Sequence, residues 1–274
     1  MTETTASPEE LLFNFQQGIV LAFDKPLEWS SFGIVSRTRK LLTEKMAGAK
    51  IKVGHAGTLD PLASGVIILT TGRATRLIDE LQTGVKEYVA TLQLGATTPS
   101  YDMEHAVDAT FATEHITPER IAEVVPSFIG EIMQIPPVFS AVKIQGQRAY
   151  DLARKGQDVE LRAKPLNIDE IEIIAFDTQH MQLTLRIVCS KGTYIRALAR
   201  DIGQALDSGA YLTYLRRTRV GQFSLADCFT LDTFEDWLTT HNIATTLLDN
   251  QSLKKQRAAV RKLTSQSPNT PQRL

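Results

Sequence analysis

The chain has 274 residues, a length that fits two domains of average size or one large domain. Hydrophobic residues make up 43% of it and charged residues 22%, so disorder throughout the chain is excluded, because enough apolar surface is available to offset the entropy lost on folding. The formal net charge is −1, which by itself favours no class of partner.

The sequence also limits where the protein is expected to work. Residues 11–23, an uncharged stretch near the start, are too few and too polar to span a bilayer, which takes about 20 apolar residues. The N-terminus is acidic where a signal peptide is basic. Two cysteines, Cys189 and Cys228, are too few for a disulfide framework or a four-cysteine zinc site. We expect a cytoplasmic protein that does not enter a membrane.

Charge is unevenly distributed along the chain. Positions 250–274 contain six basic and no acidic residues, so this tail carries +6 and the rest of the chain −7. Such a tail is either a solvated end or an arm that binds a polyanion such as nucleic acid. Both interpretations stay open from composition alone.

The first third of the chain alternates short apolar runs with turn residues. The run at 18–23 predicts a buried strand that ends at Asp24-Lys25-Pro26, and Ser30 or Ser31 can cap the helix that follows. Residues 52–65 show neither helical nor strand periodicity, although they are apolar for a loop. A strand at 66–70 and a short helix near 74–81 complete this part of the chain.

The remaining elements predict an α+β fold with a mostly antiparallel sheet, flanked by helices, because hairpins join several of the strands. They are a half-buried strand at 87–94, a helix from Thr117-Pro118, a helix at 149–155, an antiparallel pair at 168–176 and 181–188, a helix capped by Thr193, a basic strand region at 212–223, and a last helix capped by Asp232.

Known motifs for metals and nucleotides are absent from the sequence. The five histidines are scattered, with no pair at the i, i+4 spacing of a zinc helix. There is no phosphate-binding G-x-x-x-x-G-K-[ST] loop and no Gly-x-Ser-x-Gly elbow of a serine hydrolase. These absences favour a reaction that uses neither a metal nor a cofactor.

Asp60 is the candidate reactive group, because it lies in a glycine-bounded loop among apolar residues. Pro61 biases its backbone towards extended conformations, and Leu59 and Leu62 place the carboxylate against an apolar wall. A charge in such surroundings is costly unless a cation lies nearby, which is typical of a nucleophile or an acid–base group. The alternative is an aspartate that only closes a turn.

Five blocks, in order, are similar to the TruB-type tRNA pseudouridine synthases. The loop matches their GH-x-G-x-LDP-x-A-x-G active-site pattern, and the similarity extends from about residue 18 to residue 223. The blocks are Leu21-Ala22-Phe23-Asp24-Lys25-Pro26 with Trp29-Ser30-Ser31, then Gly54-His55-Ala56-Gly57-Thr58-Leu59-Asp60-Pro61-Leu62-Ala63-Ser64-Gly65, then Lys86-Glu87-Tyr88, then Gln134-Ile135-Pro136-Pro137 with Ser140-Ala141 and Lys143, and Cys189-Ser190-Lys191-Gly192-Thr193-Tyr194-Ile195-Arg196 with Tyr214-Leu215-Arg216-Arg217.

The resemblance implies an isomerase that converts a uridine in the T-loop of tRNA, at position 55, to pseudouridine. It implies the pseudouridine-synthase fold, no metal and no small-molecule cofactor. The bond to be broken lies inside folded RNA, so the nucleotide must be flipped out, at a cost of a few kcal/mol. The expected partner is the T-arm of tRNA, and the protein is expected to be a monomer.

Several residues match the family's active-site positions. Asp60 falls on the catalytic aspartate and is expected to be the nucleophile, at the sugar or at the base. Arg196 falls on the active-site arginine and is expected to pair with Asp60, with Asp102 as a second acidic partner. In the first turn of a helix a cation gains nothing from the helix dipole, which favours a functional reason for Arg196.

Four further residues match positions around the uridine. His55 is expected to fill the space that the base leaves, and Tyr88 to stack on the extruded uracil, since stacking holds a base while it turns. Tyr194 and Leu215 match positions that line the pocket. Alternatively, His55 serves backbone groups of its loop, and the two tyrosines are core aromatics.

The sequence departs from the family in the neighbourhood of Asp102. Thr98-Pro99-Ser100 replaces a T-D-T stretch, His105 stands where glycine is common, and Phe139 replaces a frequent tyrosine. We expect an intact site with an altered rim.

The C-terminal region also differs from many bacterial members, which continue into an RNA-binding domain of the PUA type. Only 274 − 223 = 51 residues follow Phe223. We expect a catalytic domain at 18–235 and, at 236–274, a short helix and basic tail without a full PUA domain. Two hypotheses remain: an active synthase, or a catalytically inactive RNA-binding or tRNA-remodelling protein of the same fold. Retention of Asp60, Tyr88 and Arg196 favours the enzyme.

Overall fold

A computed structural model describes residues 13–140, 142–144, 147–150, 161–243 and 272–273. The chain forms two compact units: described residues up to Gly84 and from Thr218 onward belong to the first, and Val85–Arg217 to the second. In chain order the strands and α-helices are β1 (Ile19–Lys25), α1 (Ser31–Lys45), β2 (Val53–Ala56), β3 (Ser64–Thr71), α2 (Ile78–Leu81), β4 (Lys86–Leu94), β5 (Ala96–Thr97), β6 (Ala109–Thr110), α3 (Pro118–Val124), β7 (Gly130–Gln134), β8 (Lys143–Ile144), β9 (Gln147–Arg148), β10 (Lys164–Asp177), β11 (Gln182–Cys189), α4 (Ile195–Ala205), β12 (Ala210–Val220), β13 (Phe223–Ser224), α5 (Leu231–Thr240) and β14 (Gln272–Arg273).

In the first unit, β3 lies between β1 and β2 and is antiparallel to both. All eight residues of β3 are buried, because apolar side chains cover both faces of the sheet. One face carries Leu21 and Leu69, packed with α1 and the aromatic residues of α5, and the other carries Val20 and Ile68. This double burial gives the loop between β2 and β3 a rigid base.

In the second unit, the sheet has the strand order β12-β4-β11-β10-β7. Alternate residues of β4 are buried, and its partner β11 presents Leu185 opposite Ala90 and Ile187 opposite Tyr88. The opposite face is polar: Arg186 forms ion pairs with Glu87 and with two carboxylates of β10. The buried face is therefore the one that carries Tyr88.

The predicted α+β class with a mostly antiparallel sheet is confirmed. The structure also bears out the strand at the start, the β10–β11 hairpin, and the helix caps by Ser30 and Thr117, whose side chains accept hydrogen bonds from Gly33 N–H and Arg120 N–H.

Other local predictions are wrong. Val53–Ala56 is a strand and not loop, because pairing with β3 overrides its weak periodicity. Thr193 does not cap α4: its hydroxyl donates to Ser190 O instead. Asp232 does not cap α5, because that helix begins one residue earlier, and Thr230 accepts from Thr233 N–H.

Some predictions concern residues that the structure does not describe or boundaries that it does not test. Most of the predicted helix at 149–155 and all but two residues of the basic tail lie outside the described residues. The predicted boundary at 235/236 falls within α5, and the division into a catalytic domain and a C-terminal region stays a prediction. None of the helices described is long and apolar enough to cross a membrane.

Candidate active site

Asp60 lies in the first unit, in the short loop 57–63 that joins β2 to β3. Glycines allow the loop to turn at both ends: Gly57 has φ +87° and Gly65 has φ +105°, values that L side chains rarely adopt. Leu59 and Ala63 are buried, whereas Asp60 is half-buried. The loop is therefore anchored by its apolar side chains, with the carboxylate between them.

Hydrogen bonds fix the backbone on both sides of Asp60. The buried Ser31 hydroxyl donates to Leu59 O and accepts from Leu59 N–H, both at 2.8 Å. On the other side, Pro61 O accepts from Glu28 N–H at 2.8 Å and from Lys25 Nζ at 3.4 Å. Hydrogen bonds thus tie the loop to the β1–α1 connection on one side of Asp60 and to the start of α1 on the other.

Lys25 is fully buried, with 0% of its side chain exposed, and a buried ammonium is costly unless it is satisfied. Its Nζ donates to the carbonyl oxygens of Pro26, Trp29 and Pro61. Sequence reasoning treated Lys25 as a strand end and Ser31 as a helix cap, and missed that both position the loop. The signal was a lysine at the end of a strand, between an aspartate and a proline.

His55 lies on β2, opposite Leu69, and is half-buried. It belongs to the same hairpin as the Asp60 loop, so the fold fixes both residues to one strand pair. The expected wedging of His55 into RNA stays a prediction.

Arg196 lies in the second unit, in the first turn of α4, and only 6% of it is exposed. Its two terminal nitrogens donate to Ser100 O at 3.1 Å and Phe139 O at 2.9 Å. Its Nε lies 3.6 Å from Asp102 Oδ2. Because these acceptors surround a planar guanidinium, its orientation is fixed.

Asp102 is equally buried, at 6% exposed, and is held on its other side by neutral donors. Its Oδ1 accepts from the Ser100 hydroxyl at 2.6 Å and from Glu104 N–H at 3.0 Å. Oδ2 is thereby turned towards Arg196. The structure thus brings these two predicted residues together, while their roles stay predictions.

Two of the departures from the family pattern meet beside this network. The rings of His105 and Phe139 are in contact, with centroids 4.8 Å apart. Phe139 also accepts a hydrogen bond from Arg196 through its carbonyl, so a residue at which the sequence departs from the family pattern helps to orient the arginine.

The predicted uridine-pocket residues are also in the second unit. Tyr88 is buried near the start of β4, and Leu215 is half-buried on β12. Tyr194 immediately precedes α4, and the buried Gln134 side chain accepts from its N–H and donates to its carbonyl, at 2.9 and 3.2 Å. Gln134 therefore also positions the site. It belongs to one of the five sequence blocks, but the sequence did not indicate this role.

Buried cations lie at one end of β4. Burial, and then the neighbouring Arg217, lower the pKa of Lys86 to about 8. Burial raises the pKa of Cys189, opposite Lys86 on β11, to about 11, so this thiol stays protonated at neutral pH, as expected of a structural cysteine. Among the residues that the structure describes, no group of three His, Cys, Asp or Glu side chains could hold a metal ion.

Two family models match consecutive parts of the chain. The family model described as TruB family pseudouridylate synthase (N terminal domain) matches residues 39–195, and the model described as tRNA pseudouridylate synthase B C-terminal domain matches residues 196–254. Together they include each of the predicted site residues.

The curated relatives share the same name. The tRNA pseudouridine synthase B of Phocaeicola vulgatus is 60% identical over 84% of this chain and 97% of its own length. Proteins of that name from Bacteroides thetaiotaomicron and Flavobacterium johnsoniae are 56% and 48% identical.

Solved structures show the same fold in larger proteins. A structure of a Cbf5-Nop10-Gar1 complex matches with a TM-score of 0.60 at 29% identity, over 86% of this chain and 61% of that one. An archaeal box H/ACA sRNP Nop10-Cbf5 complex matches with a TM-score of 0.57 at 28% identity, over 82% of this chain and 54% of that one. This chain therefore spans little more than half of the structural neighbours.

The Ser31 hydroxyl gives a first test of how the loop is held. Ser31→Ala leaves the N–H and carbonyl of Leu59 without their partner, so we expect a loss of about 1–3 kcal/mol in the free energy of unfolding and faster hydrogen exchange at the Leu59 amide. The control is Ser30→Ala, which removes the α1 cap and costs about 1 kcal/mol but leaves exchange in 57–63 unchanged. Equal hydrogen exchange at the Leu59 amide in both variants would contradict the conclusion that the Ser31 hydroxyl fixes the Leu59 backbone.

The pH dependence of the free energy of unfolding tests the lowered pKa of Lys86. The folded protein loses this proton near pH 8 and the unfolded chain near its ordinary value of 10.5, so between these values the unfolded state binds more protons. The contribution of Lys86 to the free energy of unfolding therefore rises with pH, by at most about 1.4 kcal/mol per pH unit. Urea unfolding of wild type and Lys86→Met should show a difference in unfolding free energy that grows in favour of wild type over this window. The exposed Lys40→Met should show a constant difference; a constant difference for Lys86→Met would contradict the assignment.

Proposed function

This chain belongs to the TruB family of pseudouridylate synthases, and from that premise we propose how it isomerises uridine 55 of tRNA to pseudouridine. The observation that carries the proposal is the retention, within the family match, of Asp60 on a loop whose backbone is fixed on both sides. We propose that its RNA partner is the T-arm and that it acts as a monomer.

The reaction exchanges one bond for another. The N1–C1′ glycosidic bond of the uridine breaks, the uracil turns, and a C5–C1′ bond forms; C5 gives up its proton and N1 takes one up, so substrate and product have the same atoms. We propose that Asp60 supplies the electron pair, attacking the ribose or the base and leaving again as the new bond forms. A fixed loop favours this step, since it holds the carboxylate in position before the substrate arrives.

Arg196 is proposed to pair with Asp60 during the reaction. Support comes from its family position and from its contacts, which orient the guanidinium through Ser100 O, Phe139 O and Asp102. We propose that Asp102 keeps Arg196 in this orientation and does not itself react.

The pocket residues are proposed to receive a flipped uridine. Unstacking costs a few kcal/mol, which stacking on Tyr88 and insertion of His55 into the vacated space would offset. Tyr194 and Leu215 are proposed to line the pocket, with the Tyr194 backbone held by Gln134.

Asp60→Asn tests the nucleophile. An amide oxygen is a far weaker nucleophile, so we expect pseudouridine formation to fall at least about 10³-fold, or roughly 4 kcal/mol of barrier. Binding of tRNA should stay within about tenfold, because phosphate and stacking contacts do not use this side chain. The measurements are tritium release from tRNA labelled at uracil C5 and a binding titration.

The matched control for Asp60→Asn is Asp79→Asn, at an exposed position of the same unit, which should behave as wild type. Near-normal turnover of Asp60→Asn would reduce Asp60 to a turn residue, and loss of binding together with turnover would indicate a folding role. A wild-type protein that binds tRNA without releasing tritium would favour the inactive RNA-binding alternative.

Arg196→Lys tests the planar contact. One ammonium cannot span Ser100 O and Phe139 O as two guanidinium nitrogens do, so we expect the single-turnover rate at saturating tRNA to fall about 10²-fold or more. Arg120→Lys, at a half-buried position of the same unit, should leave the rate unchanged. A wild-type rate in Arg196→Lys would show that only the positive charge matters at this position.

A further inference from the structure

Large hydrophobic side chains are exposed in the connection between β1 and α1. Leu27 is 55% exposed, Trp29 39% and Phe32 62%. Exposed apolar residues that occur singly are ordinary, but here three occur within six positions, and we call residues 27–32 the 27–32 patch. The hydrogen bonds of the Asp60 loop do not require any of these three side chains.

The patch is rigidly joined to the Asp60 loop. Glu28 N–H donates to Pro61 O, and the buried ammonium of Lys25 donates to the carbonyls of both Trp29 and Pro61. Ser31 holds Leu59 from the other side. The backbones of the 27–32 patch and of the Asp60 loop are therefore held together by hydrogen bonds.

The Trp29 ring is held in place by the first turn of α1. A methyl group on Gly33 would come within 3.4 Å of Trp29 Cε3, so the ring lies close against the Gly33 backbone. A ring that is already fixed loses little entropy when a base stacks on it.

Cations accompany the aromatic rings. The Arg39 guanidinium lies 6.0 Å from the centroid of the Phe32 ring, and its position is fixed by a 3.2 Å hydrogen bond to Val53 O. Lys40 is exposed on the same stretch of α1. Aromatic faces with adjacent basic side chains are typical of surfaces that bind single-stranded nucleic acid, whereas the cores of protein interfaces are depleted in lysine.

We propose that Trp29 and Phe32 form a stacking platform for unpaired nucleotides of the substrate RNA next to the target uridine, with Arg39 and Lys40 at the adjacent phosphates. The inference rests on the proposed function, because it takes its ligand to be the RNA that enters the Asp60 site. It assigns to the β1–α1 connection a contact with bases in addition to its support of the loop.

Tryptophan fluorescence tests the platform directly. The chain has two tryptophans, and Trp237 packs among core aromatics, with its ring 4.6 Å from that of Phe13. We expect an unmodified T-arm stem–loop RNA to quench the emission of the wild type. We expect the same titration of Trp29→Phe, in which Trp237 alone emits, to show no quenching.

Steady-state kinetics test the same surface without a fluorophore. Trp29→Ala and Phe32→Ala should each raise KM for tRNA about tenfold and leave kcat within about twofold, since stacking contributes to binding and not to the chemical step. Trp29→Phe should restore KM, because any aromatic face can stack.

Arg39→Ala should lower the log–log salt slope of binding by about 0.7–0.9. The exposed Ile174→Ala in the second unit is the control and should change nothing.

The outcomes separate the platform from the proposed function. Quenching that persists in Trp29→Phe, or an unchanged KM in both alanine variants, overturns the platform even if pseudouridine is made. Quenching at Trp29 in a protein that makes no pseudouridine supports the platform and overturns the proposed function. Self-association of wild type that Phe32→Ala abolishes, without quenching by RNA, makes the patch a contact between copies of the chain and overturns the proposal.

Discussion

The fixed backbone on both sides of Asp60 is the constraint on which the first unit's site depends. A loop with glycines at its ends has many accessible conformations, and a reactive carboxylate on it would be poorly placed without further contacts. The Ser31 hydroxyl and the buried Lys25 ammonium remove that freedom by hydrogen bonds to backbone atoms alone. These contacts fix the backbone from which the Asp60 carboxylate projects.

In the second unit, hydrogen bonds and an ion pair likewise fix a buried cation, Arg196. Burying a guanidinium is costly, and Arg196 is stabilised by two carbonyl acceptors and by Asp102. Asp102 is in turn oriented by Ser100 and Glu104 N–H. The altered residues of this neighbourhood do not disrupt the network: Ser100 and Phe139 contribute backbone or hydroxyl groups to it, so the departures from the family pattern are compatible with an intact arginine site.

Sequence reasoning failed where long-range pairing or competition between hydrogen bonds decides the local structure. Val53–Ala56 has no strand periodicity, yet it pairs with β3 because both faces of that sheet are covered. Thr193 and Asp232 are good caps by residue type, but the Thr193 hydroxyl donates to Ser190 O, and Thr230, two residues before Asp232, caps α5. The positioning roles of Lys25 and Gln134 were missed for a related reason, since their hydrogen-bond partners are 36 and 60 residues away.

By itself the sequence determined the α+β class, the six longest of the strands described, and the family, because apolar periodicity and the spacing of residues within a motif are local properties. It also singled out Asp60 and Arg196 as candidates. Only the tertiary structure decided which contacts hold them. The buried Lys25 ammonium donates to three carbonyl oxygens, and the Ser31 hydroxyl is hydrogen-bonded to the Leu59 backbone. Arg196 is paired with Asp102, which is far from it in the sequence. These contacts depend on which elements fold against one another, and no local pattern encodes that.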